Sequence, residues 1–115
     1  MLRKSFSSVK VFYPSLSRED LLALLRQRIK ALQRELPLKR VVLFGSYATG
    51  RQTVASDIDL LVVYAGEPRK EAYALVKRTL NIRHLEPHLY AEEEYEPVKT
   101  TVERMVQSGV PIELR

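Results

Sequence analysis

The chain has 115 residues, 45% of them hydrophobic and 29% charged, with a formal net charge of +5; that size and composition describe one globular domain with a single core. It contains no cysteine, which excludes disulfides, thiolate catalysis and thiolate-bound zinc. No apolar run approaches the roughly 20 residues that span a bilayer, and the basic N-terminal segment lacks the apolar stretch of a secretory signal, so the expectation is a cytoplasmic protein without a membrane partner.

Residues 1–16 read as an N-terminal extension and residues 17–115 as the single domain. Within the extension, Val9–Tyr13 is a candidate edge strand stopped by Pro14. Ser17-Arg18-Glu19-Asp20 is a helix start, with a capping hydroxyl and acids in the first turn. Leu21, Leu25, Ile29, Leu32 and Leu36 then repeat at helical spacing up to Pro37. Leu38–Phe44 and Ile58–Tyr64 are near-continuous apolar runs, the pattern of central strands buried on both faces. Between them lie a turn of helix over Ser46–Gly50 and a polar loop over Arg51–Ser56.

After Ala65-Gly66, a second long helix is expected over Glu67–Leu80, with Ala72, Leu75, Val76 and Leu80 inward and Lys70, Lys77 and Arg78 solvated. A third strand is expected over Arg83–Tyr90. Glu92–Tyr95 then begin a helical turn, Pro97 restarts a helix through about Gln107 with Val98, Val102, Met105 and Val106 inward, and Gly109 stops it. Val110–Leu114 is a candidate closing strand. The alternation gives an α/β (α+β) fold, a mixed β-sheet packed with helices on one or both faces.

Chemistry concentrates between Val41 and Tyr64. Strand residues alternate faces, so Asp57 and Asp59 project the same way, about 7 Å apart. Two carboxylates there are costly without a cation, and Mg²⁺ is the usual one for an all-oxygen site completed by substrate phosphates. Gly45-Ser46, where the preceding strand turns into a short helix, directs backbone N–H groups outward for phosphate. Together they suggest a nucleoside triphosphate site.

Gly45-Ser46, ten residues, then Asp57-x-Asp59 resembles the signature of the nucleotidyltransferase superfamily that includes DNA polymerase beta. The chain is most similar to its smallest members, the minimal nucleotidyltransferases encoded beside HEPN-domain proteins. The strong motif covers about fifteen residues, and weaker likeness runs from Leu21 to the C-terminus. The resemblance implies a Mg²⁺-dependent enzyme that moves a nucleoside monophosphate, AMP from ATP, to a hydroxyl on a HEPN toxin, which makes this chain the antitoxin. It implies Asp57 and Asp59 as metal ligands, Gly45 and Ser46 as the triphosphate grip, and a third acid on the neighbouring strand. Glu86 is the best match for that acid, as metal ligand and as the group that readies the acceptor; His88 is the alternative. Family members commonly carry Ala-Arg-Gly where this chain has Ala48-Thr49-Gly50, and Arg51 is the substitute cation.

Arg83, His88 and Tyr90 also match the Arg-x4-His-x-Tyr pattern of HEPN ribonucleases, but that family is helical and Pro87 gives these residues a strand context. The basic residues are spread along the chain without interleaved aromatics, so nucleic acid is only weakly indicated; a homo-oligomer is left open. The competing reading is a non-catalytic module that neutralises a partner by occlusion through Phe12, Tyr13 and Tyr47. Against it, a binder has no reason to keep two adjacent carboxylates.

Overall fold

The computed structural model describes residues 16–53 and 56–114; the expected edge strand Val9–Tyr13, and with it Phe12 and Tyr13, lies outside them. Helix α1 (Arg18–Gln33) begins at Ser17, whose hydroxyl accepts the Asp20 N–H at 3.0 Å. The remaining elements follow as β1 (Leu38–Phe44), α2 (Ser46–Thr49), β2 (Ile58–Tyr64), α3 (Ala72–Leu80), β3 (Leu85–Ala91), α4 (Glu92–Met105) and β4 (Val110–Pro111). They form one four-stranded sheet in the order β3-β2-β1-β4. β1 is antiparallel to β2 and β4, whereas β2 and β3 are parallel and joined through α3, the crossover that parallel neighbours require.

The apolar runs of β1 and β2 serve two cores because alternate side chains point to opposite faces. Val41, Leu43, Leu60 and Val62 pack with Leu21, Leu25, Ile29 and Leu32 of α1 and Leu75, Val76 and Leu80 of α3. Val42, Phe44, Leu61 and Val63 meet Tyr95, Val102 and Val106 of α4 on the other face. Both faces are therefore covered, as the near-continuous hydrophobic runs require. Arg28 of α1 donates to the Leu80 and Asn81 carbonyls at 2.7 and 2.8 Å, satisfying the open C-terminal end of α3.

Several boundaries differ from expectation. α3 starts at Ala72 rather than Glu67, because Gly66 turns the chain at φ 91° and the Arg69 N–H donates back to the Tyr64 hydroxyl at 2.9 Å. β3 starts at Leu85 rather than Arg83, since His84 takes a left-handed φ of 67° that a strand cannot contain. α4 runs unbroken through Pro97 from a start at which Glu94 accepts the Ala91 N–H at 2.9 Å. Val98 and Met105, expected inward, are exposed at 37% and 41%. On a helix of 3.6 residues per turn they lie about 60–80° from the stripe formed by Tyr95, Val102 and Val106. β4 has two residues rather than five, although the Ile112 N–H still donates to the Val41 carbonyl at 2.8 Å.

Candidate active site

The C-terminal end of β1 and the first residues of β2 and β3 meet at one end of the sheet. Gly45 leaves β1 with φ 78° and ψ −152° and opens α2. This conformation strains any residue with a Cβ. Space forbids one as well, since a Cβ at Gly45 would sit 2.4 Å from Asp59 Oδ2. The Asp59 carboxylate thus rests directly against the glycine turn.

Strand register sets the rest of the cluster. Asp59 pairs with Phe44 on β1 and with Glu86 on β3, so the three stand abreast. Directly paired residues share a face, here the one covered by α4. His88, two residues along β3, places Nε2 3.2 Å from Asp59 Oδ1. Its ring meets Phe44 edge-on, with centroids 4.9 Å apart and planes at 61°. His88 is therefore engaged with Asp59, while Glu86 stays exposed beside it. Asp57 is exposed just before β2, and its carboxylate has no partner among the described residues.

Gly45, Ser46 and Arg51 line one cavity of about 370 Å³ beside this cluster. Its far wall is a feature the sequence reading missed: Arg104 and Met105 at the end of α4, and the turn Gln107–Gly109. No local signal marked them, because Arg104 sits in an ordinary amphipathic helix; only the sheet order brings the end of α4 to the end of β1. Lys70 lies in the turn before α3, beyond the opposite end of β2. Tyr47 is 5% exposed and belongs to the α1–α3 core, so it offers no surface for occluding a partner.

Among the described residues no group of three or more Asp, Glu or His side chains gathers closely enough to enclose a metal ion. The structure brings Asp59 to Gly45 and aligns Glu86 with Asp59 without closing Asp57, Asp59 and Glu86 into a cage. The donor chemistry nonetheless suits Mg²⁺, which keeps several waters and is commonly held by one or two carboxylates plus substrate phosphates.

A region of 87 residues, 25–111, matches the sequence profile of the "Nucleotidyltransferase domain" family. In Methanocaldococcus jannaschii, "Putative protein adenylyltransferase MJ1379" is 46% identical over 41 residues, 36% of this chain and 41% of that protein. "Putative protein adenylyltransferase MJ0128" of the same organism is 42% identical over 45 residues, 39% of this chain and 46% of that protein. The matched stretch thus spans less than half the length of these curated relatives. A solved structure, titled as that of a "putative nucleotidyltransferase from Sulfolobus solfataricus", superposes with a TM-score of 0.59 at 26% identity, covering 86% of this chain and 85% of that one. Among the described residues no helix is long and apolar enough to cross a membrane. The mixed sheet, the glycine turn against the aspartate and the family match over most of the chain agree, and the chain belongs to the nucleotidyltransferase domain family.

Proposed function

We propose that the chain is a Mg²⁺-dependent adenylyltransferase that moves AMP from ATP to a hydroxyl on a protein partner. The observation that carries this reading is the contact between the Asp59 carboxylate and the Gly45 turn, which sets a carboxylate next to a turn that itself lines a cavity of about 370 Å³. Asp57 and Asp59 would hold the cation, with triphosphate oxygens and water completing its shell. When bound, it supplies charge neutralisation and in-line orientation for the transfer. Ser46 and the backbone at Gly45 hold the β- and γ-phosphates, and Arg51 adds positive charge from the cavity wall. His88 steadies the Asp59 carboxylate through its Nε2 contact. Glu86, exposed and in register with Asp59, accepts the proton of the attacking hydroxyl. The bond from that oxygen to the α-phosphorus forms, the bond from the α-phosphorus to the bridging oxygen breaks, and pyrophosphate leaves.

The archaeal relatives named as protein adenylyltransferases support a protein acceptor. The likeness to minimal nucleotidyltransferases points to a HEPN-family toxin modified on a tyrosine, with this chain as its antitoxin in the cytoplasm. The test is transfer of labelled AMP from ATP to a co-purified HEPN partner by wild type, Asp57→Asn and Asp59→Asn. Wild type labels the partner. Each variant is expected to lose about 10³-fold or more in rate, the several kcal/mol associated with a positioned metal. Equal labelling by wild type and variants would overturn the assignment.

A further inference from the structure

Beyond the residues assigned above, the cavity has a second cationic wall. Arg51 and Arg104 both line it, one on the loop after α2 and the other in the last turn of α4, together with Gly45 and Ser46. Both arginines are exposed, and neither guanidinium has a partner among the described residues. Glu103, the acid next to Arg104, is already taken by Arg40 and Tyr95. Two unneutralised guanidinium groups lining one concavity give it a positive potential that favours an anion. The position is also structurally favourable for a cation, because the C-terminal end of a helix carries partial negative charge.

Gly109 brings this wall close. A Cβ there would lie 2.6 Å from Val42 Cγ1 and 2.8 Å from the Leu43 carbonyl oxygen, so only glycine lets the turn after α4 press against β1. Met105, exposed on the shoulder of α4, lines the same wall. The cavity thus combines two forked cations with the Gly45-Ser46 turn, chemistry that matches polyphosphate oxygens, while Phe44 and Met105 add apolar surface to its lining.

We propose that Arg104 is a substrate-binding residue that, with Arg51, grips the polyphosphate tail of the nucleoside triphosphate. The proposal rests on the nucleotidyltransferase reading of this site and adds a ligand contact from α4. The test is calorimetric titration of the full chain with ATP plus Mg²⁺, with AMP and with inorganic tripolyphosphate, for wild type, Arg104→Ala and Arg104→Lys. Wild type is expected to bind ATP and tripolyphosphate. Arg104→Ala should weaken both about tenfold or more while leaving AMP binding unchanged, and Arg104→Lys should recover part of the loss by restoring charge without the fork. Thermal melts of both variants should match wild type, because the side chain is exposed. Binding of ATP by Arg104→Ala within twofold of wild type would overturn the proposal alone, as would an equal loss of AMP. A wild type that binds neither ATP nor tripolyphosphate would overturn the nucleotide reading of the site together with it.

Discussion

Gly45 is the residue on which the site turns, for two separable reasons. Its φ of 78° costs an alanine about 1–2 kcal/mol, and the Asp59 carboxylate occupies the space a methyl group would need. Gly45→Ala is therefore expected to lower stability by about 1–2 kcal/mol in urea unfolding and to abolish the proposed AMP transfer, since Asp59 must move away from the turn. A variant that loses stability but keeps full transfer would show that the carboxylate's seat is irrelevant to chemistry. The importance of Gly45-Ser46 and Asp57-x-Asp59 was legible in the sequence, because short-range spacing on two apolar runs encodes it. The seat of His88 on Asp59 was not, for it depends on the parallel register of β2 and β3, which nothing local in either strand specifies.

At the scale of elements, α4 is fastened to the sheet by more than its apolar stripe. Arg40 of β1 donates to the Tyr95 hydroxyl at 2.9 Å and pairs with Glu103, which also accepts from Tyr95. The hydrogen bond from Tyr95 and then the one from Arg40 hold the Glu103 carboxyl below its usual range. Burial works against the Arg40 charge, yet Glu103 outweighs it and the guanidinium is held above its ordinary value. Burial, and then the bond to Glu103, raises the Tyr95 phenol. A carboxyl with a depressed folded pKa contributes stability that is complete above its unfolded value, about 4.3, and lost as pH falls below it. Glu103 is 42% exposed, so screening limits this contribution to about 1 kcal/mol or less. Glu103→Gln should unfold at lower urea than wild type at pH 7, and the gap should narrow as pH falls below about 4.3; a gap that does not change with pH would show that the pair contributes no charge-dependent stability. The two central strands matched their apolar runs residue for residue, because burial on both faces leaves little freedom in the pattern. The inner face of α4 was harder to see. Val98 and Met105 fit a generous helical stripe, but the sheet residues Val42, Phe44, Leu61 and Val63 meet only Tyr95, Val102 and Val106.

For the molecule as a whole, the sheet is the shared wall of two cores. Leu60 is fully buried against α1 and α3, while its neighbours Asp59 and Leu61 serve the opposite face. Leu60→Ala is expected to cost about 2–5 kcal/mol, and, because both cores hang on the same strand, a single transition should be seen by backbone circular dichroism and by tyrosine fluorescence. Two separated transitions would mean that the faces unfold independently. The order β3-β2-β1-β4 also decides what can join the molecule. Each outer strand carries a proline, Pro87 in β3 and Pro111 in the two-residue β4. A visiting chain cannot zip along a rim where a hydrogen-bond donor is missing. An acceptor protein of the kind proposed would therefore present its hydroxyl on a protruding side chain, offered to the end of the sheet where Gly45 and Asp59 meet, rather than as an extra ribbon laid beside the sheet.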